Sequence, residues 1–127
     1  MKKLMKVALL GITLLTVPSV TYAATYLSAF SLSLPGLNQS VSTGLGQSKA
    51  TSGANGQILV TVSKQKFDAR QTDEQGNRGD WRKQISKGDT AGLPGNSNQL
   101  KGDKMKLTIS SNWNATTDSK NGSWKSN

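Results

Sequence analysis

"KMKLTISSNW", residues 104–113, decides the fold. Met105, Leu107 and Ile109 alternate with Lys106, Thr108 and Ser110. A period of two puts the apolar side chains on one side of an extended chain and the polar ones on the other, as in a strand with one face buried. The same alternation recurs on the N-terminal side. "YLSAFSLSL" (26–34) sets Tyr26, Phe30, Leu32 and Leu34 on one face, and "QILVTVS" (57–63) does so with Ile58, Val60 and Val62, leaving Leu59 on the other. "KQKFDARQ" (64–71) alternates Phe67 and Ala69 with Lys66, Asp68 and Arg70, and "DWRKQIS" (80–86) alternates Trp81, Lys83 and Ile85. A last short strand is expected around Trp124.

Between these runs the punctuation is of turn type. "LPGLN" (34–38) and "LPGNS" (93–97) place Pro and Gly in the order of a type II turn, with Pro setting φ and Gly accepting a positive one. "EQGNRGD", "KGDT", "KGDK" and "KNGS" read as further Gly/Asp/Asn turns. Residues 44–57, "GLGQSKATSGANGQ", are Gly- and Ser-rich and are expected to form a flexible loop. No segment after residue 23 sustains a helical period. The expectation is an all-β chain: a small antiparallel β-sandwich, Ig-like in size, with about five to seven short strands. Its core would draw on Phe30, Leu32, Ile58, Val60, Val62, Phe67, Trp81, Ile85, Leu107 and Ile109.

The N-terminus has the three parts of a secretory signal peptide. Lys2, Lys3 and Lys6 form a basic region, residues 7–20 an apolar one shorter than a membrane span, and Thr21 and Ala23 are small residues before a cleavage at Ala24. The expected mature chain is a single domain, 24–127, after a signal peptide at 1–23. Removing the three leader lysines from a chain of net charge +9 leaves 13 basic against 7 acidic side chains, or +6. There is no cysteine, so a secreted domain of this size must stand on its core without disulfides. Sequons at Asn38, Asn114 and Asn121 are read as chance matches in an Asn/Ser/Thr-rich chain. "LPGLN" and "LPGNS" lack the ending of a sortase signal, so a released or loosely envelope-associated product is expected.

The leader, "FSLSLPG", "SKATS" and the C-terminal "LTISSNWNATTDSKNGSWKSN" with its Gly122-Ser123-Trp124 together resemble a family of small exported proteins of Gram-positive bacteria. The resemblance covers nearly the whole mature chain. It implies the same architecture and an extracellular setting, and it implies no activity.

Composition bears on catalysis. The chain has no His and no Cys, which excludes nucleophiles of the Ser-His and Cys-His kinds. Glu74 is the only Glu, and most of the aspartates sit in turn-like sequence where they bond their own backbone. The usual zinc and iron ligands are missing, and no EF-hand spacing occurs. "GLGQSKAT" lacks the spacing of a phosphate loop. A non-enzyme without a cofactor is expected.

Binding is the remaining class. Lys64, Lys66, Arg70, Arg82, Lys83, Lys87, Lys101, Lys104 and Lys106 lie in or beside the middle strands, and if those strands are neighbours a basic sheet face results, with Lys64, Lys66, Arg82, Lys83, Lys104 and Lys106 as its binding candidates. Such a face suits an anionic cell-wall polymer or lipid headgroups, with attraction screened by salt. It equally suits a solvated face that keeps the protein soluble and guards sheet edges. Nucleic acid is not expected, since few aromatics are present for stacking. Two other readings stand beside the envelope-binding one. A cationic exported product is compatible with a bacteriocin-like or toxin-like protein, with Trp113 and Trp124 as membrane-interface anchors. "NRGDWRK" (77–83) offers Arg78, Gly79, Asp80 and Trp81 as an adhesion loop, although a hairpin connection between the Phe67 and Trp81 strands explains the same residues.

Overall fold

The computed structural model describes residues 27–127; the leader at 1–23 and Tyr26 lie outside the described residues. The described chain is an antiparallel β-sandwich of nine strands: β1 Ser28–Leu34, β2 Ser40–Ser42, β3 Gln47–Ser48, β4 Gly56–Val62, β5 Phe67–Asp73, β6 Arg82–Ile85, β7 Thr90–Leu93, β8 Lys104–Ser111 and β9 Asp118–Lys125. One sheet has the order β1-β9-β4-β7 and the other β2-β8-β5-β6, with the short β3 also on β8. β8, the strand of the opening stretch, pairs with β5 along its length from Phe67–Ser111 to Asp73–Met105.

The inner faces meet in one core. Phe30, Leu34, Ile58, Val60, Ala91, Leu93 and Trp124 face Phe67, Ala69, Ile85, Met105, Leu107 and Ile109, all buried. Among the described residues both sheets share this one core. Trp124 belongs to this core. The eight-residue β9, expected as a short last strand, is central in its sheet.

Three expected core residues differ. Val62 is 42 % exposed, because a bulge between Val60 and Val62 breaks the alternation on β4. Leu32 is half-buried against the core. Trp81 sits ahead of β6 on the outer side of its sheet, where a register shift between Phe67 and Ala69 and a positive φ of 58° at Gln84 interrupt the period of two.

Several expected turns differ too. Gly36 and Gly95 do not take a positive φ; Leu37 and Asn38, both at φ 61°, carry the left-handed turn after Pro35. Gly36 and Gly95 serve close approach instead, with no room for a Cβ against Ala115 O and Ala54 O. "KNGS" is no turn but lies inside β9, where Gly122 packs directly on Leu59 O. Residues 44–57 hold β3 and the start of β4, and Lys49 N and O bond Asp103 O and Gly102 N at 2.8 Å each.

Each end of the sandwich is closed by a buried lysine. At one end Lys120, 1 % exposed, pairs with Asp118 and donates to Ser63 Oγ and Gln65 O at 2.9 and 2.7 Å. Asp118 Oδ2 also accepts the Lys64 and Gln65 N–H groups at 2.8 and 3.0 Å. Burial alone would raise the Asp118 carboxyl, but the Lys120 hydrogen bond, the two N–H groups and the Lys120 charge together hold it below the usual carboxylate range. At the other end Lys49, also 1 % exposed, donates to Ala54 O, Ser126 O and Gln71 Oε1 and has no carboxylate partner among the described residues. Burial pulls its ammonium down to about 8. Buried Gln71, Gln99 and Gln47 extend this network to Leu93 O, Asn77 O and Trp124 O.

Candidate functional site

The outer face of the five-stranded sheet gathers the basic side chains. Along β8 the polar positions are Lys104, Lys106, Thr108 and Ser110; along β5 they are Asp68, Arg70 and Thr72. Lys106 stands opposite Thr72, and Thr72 makes an isolated bridge to Arg78. Three neighbouring chain segments therefore place Lys106, Thr72 and Arg78 on one rung. On the next rung Arg70 stands opposite Thr108, whose hydroxyl lies 2.9 Å from Ser42 Oγ and 3.4 Å from Thr72 Oγ1.

Arg70 is the centre of this face. Its guanidinium carbon lies 4.0 Å from the centroid of the Trp81 ring, a cation–π stack. Its Nε is buried without a hydrogen-bond partner. Burial first, and the like charge of Arg78 second, lower its affinity for its proton. Among the described residues the only ion pair is Lys120–Asp118, so Arg70, Arg78, Lys104 and Lys106 have no carboxylate within salt-bridge distance. Two nearby acids accept backbone N–H groups, while Asp80 is exposed two residues from Arg78. Asp68 accepts Gln84 N at 2.9 Å, and Glu74 accepts Lys104 N at 3.1 Å. Two guanidinium groups and two ammonium groups match the paired anionic oxygens of a phosphate or carboxylate.

Not all of the sequence candidates meet here. Lys104 and Lys106 do. Lys64 and Lys66 lie in the β4–β5 connection next to Ser111, five residues along β8 from Lys106, or about 17 Å of strand. The single basic face expected from all six residues is therefore divided in two. Arg82 and Lys83 are exposed on the edge strand β6 and flank the patch. Arg70, one of the basic residues that the sequence places in the middle strands, belongs to the site.

The tripeptide at 78–80 connects β5 and β6 without forming the tip of the connection. Exposed Glu74, Gln75 and Gly76 are the tip, held by Asp73 Oδ1 accepting Gln75 N and Asn77 N at 3.0 and 2.7 Å. Gly79 is buried, donates to Gln71 O at 3.0 Å, and lies so close to Pro94 O that a Cβ has no room. Arg78 O accepts Asn96 Nδ2 at 2.9 Å. Arg78 and Asp80 are exposed on either side of this pinned glycine, and Trp81 is covered by Arg70.

A scan against protein-family models and a search of curated proteins each returned no match to this chain.

Proposed function

We propose that this is a small non-catalytic binding protein, exported from a bacterial cell, whose outer five-stranded face takes an anionic polymer of the cell envelope. The observation that carries the reading is the rung of Lys106, Thr72 and Arg78 beside Arg70 on Trp81, four cations without carboxylate partners. A polymer with regularly spaced phosphodiesters, of the teichoic acid kind, presents pairs of anionic oxygens in a row that such a rung can follow. Ring-bearing repeats could also rest against Trp81. Anion binding would relieve the repulsion between Arg70 and Arg78 and supply an acceptor for the Arg70 guanidinium. Aggregate attraction of this kind weakens as salt rises.

The test is sedimentation of residues 24–127 with bacterial cell walls, with and without their teichoic acid, over a salt series. Binding should require the polymer, fall as salt rises, and drop when Arg70→Gln and Lys106→Gln are combined. Binding indifferent to both the polymer and the paired substitution would end the proposal.

A second reading, adhesion through Arg78 and Asp80, is supported by the exposure of both side chains. It requires loss of cell attachment in Asp80→Ala with wall binding unchanged, since Asp80 carries charge of the wrong sign for the polymer.

A further inference from the structure

We infer that the end of the sandwich built from the loops at 35–39, 63–66 and 112–117 docks on the interface of a lipid bilayer with anionic headgroups. This surface is separate from the polymer-binding face, and either could exist without the other.

Trp113 and Leu37, 78 % and 70 % exposed, are the two most exposed large apolar side chains among the described residues. They sit on one platform. Leu37 N donates to Ala115 O at 3.1 Å and Asn38 N to Asn112 O at 3.0 Å, while Gly36 lies flat against Ala115. Between the two loops is a cavity of about 370 Å³ walled by Pro35, Leu37, Gln39, Ala115, Thr116 and Thr117.

Leu37 carries the argument furthest. At φ 61° it occupies the left-handed region, which a bulky side chain adopts only under strain. Its side chain gains almost no burial in return. A residue that is strained in its backbone and exposed in its side chain does nothing for folding that Asn or Gly would not do better. Such strain collects at working sites.

The charge around this tip selects the partner. Exposed Lys64 and Lys66 occupy the adjoining loop, which is tied to the platform by Thr116 N donating to Gln65 Oε1 at 3.1 Å. Asp118 beside them is neutralised by buried Lys120. Lys87 and Asp89 lie in the β6–β7 loop at the same end, joined to β4 through Val60, and Asp89 is occupied by Ser86 N at 2.8 Å. Asp68 is held by Gln84 N. Asp68 and Asp89 keep their charge when they accept a neutral N–H, so with Asp118 cancelled by Lys120 the rim's Lys64, Lys66 and Lys87 outweigh them by one and the tip is net basic. An indole and a leucine projecting from a lysine-bearing rim match a headgroup layer, where the indole sits between water and chain and lysine meets anionic lipid. A purely hydrophilic polymer would use the lysines and leave Leu37 and Trp113 without a partner.

The test is co-sedimentation of residues 24–127 with phosphatidylcholine vesicles, with and without phosphatidylglycerol. The protein should sediment with the anionic vesicles at low salt and shift its tryptophan emission to the blue. Lys64→Gln and Lys66→Gln should each weaken binding about fivefold. Trp113→Ser should remove the blue shift and most of the binding. Leu37→Asn should weaken binding yet raise the thermal midpoint, because Asn tolerates the left-handed backbone; a merely structural leucine would not give that pairing. No binding to anionic vesicles at low salt, or undiminished binding by the Trp113→Ser/Leu37→Asn protein, overturns the inference. So does loss of vesicle binding in Arg70→Gln/Lys106→Gln with the tip variants unaffected, which would assign the lipid to the outer face.

Discussion

The two ends of the sandwich solve one problem in opposite ways. Both bury a lysine almost completely. At the Asp118 end the ammonium meets a carboxylate, so charge is cancelled and the pair in turn holds the β4–β5 connection through the Lys64 and Gln65 N–H groups. At the Lys49 end the ammonium meets only the dipoles of Ala54 O, Ser126 O and Gln71 Oε1. The first arrangement is electrically closed. The second leaves a net positive charge in the interior, and Lys49 surrenders its proton more readily for that reason. A buried ion pair is hard to break because what remains is a bare charge, whereas a dipole cage leaves only unpaired neutral groups.

Lys120 is the position where substitution should cost most. Lys120→Met should cost about 3–5 kcal/mol in a urea unfolding curve, because Asp118 would stay buried without its counter-charge. Combining it with Asp118→Asn should return much of that loss. If the single substitution costs no more than an exposed lysine does, the ion pair is not what closes that end.

Lys49→Met should cost less, about 2 kcal/mol, since three oxygens lose a donor but no charge is stranded. Equal losses at the two lysines would remove the distinction drawn between them. Smaller again is Gly56→Ala, about 1–2 kcal/mol. Its Cβ would press on Lys125 O, and Ser126 and Gln71 Nε2 are its next neighbours, so it would loosen the cage around Lys49 without touching the Asp118 end.

The pH profile should separate the ends by pH window, since stability rises with pH at both. The folded-state affinity of Lys49 for its proton lies at about 8, below the ordinary 10.5. Between those values the unfolded chain binds more protons, so stability should rise with pH there, and Lys49→Met should abolish that rise. Asp118 is shifted below its ordinary 3.8. Its contribution is present above that value and lost as pH falls through the lower folded one, a loss that Asp118→Asn should flatten. Denaturant midpoints across both windows, for the parent and the two variants, read both effects.

The strands that show a strict period of two were legible. The alternation of Met105, Leu107 and Ile109 marks β8, and that of Phe67 and Ala69 marks β5, because each strand has an apolar face on the core and a polar face on the outer side of its sheet. β7 was not legible: "TAGL" offers one large apolar residue, and burial of Ala91 and Leu93 depends on β4 beside it. Lys49 and Gln47 lay hidden in a Gly/Ser-rich stretch, since nothing local announces that a polar side chain will find oxygens from residues far along the chain. In the candidate site Lys104 and Lys106 were legible from β8 alone. Arg70 and Arg78 join them only through strand pairing, and Lys64 and Lys66 leave them for the same reason.

What the sequence determined by itself was the class: an all-β chain whose apolar residues alternate, punctuated by glycine turns, with a basic balance and neither His nor Cys. These follow from local sterics and composition, which each residue carries wherever it sits. Tertiary structure alone decided that Trp124 is core and Trp113 is surface, that Trp81 supports Arg70, and that six basic residues form two surfaces. Those outcomes depend on register and bulges, where one extra residue turns a side chain from the interior to water.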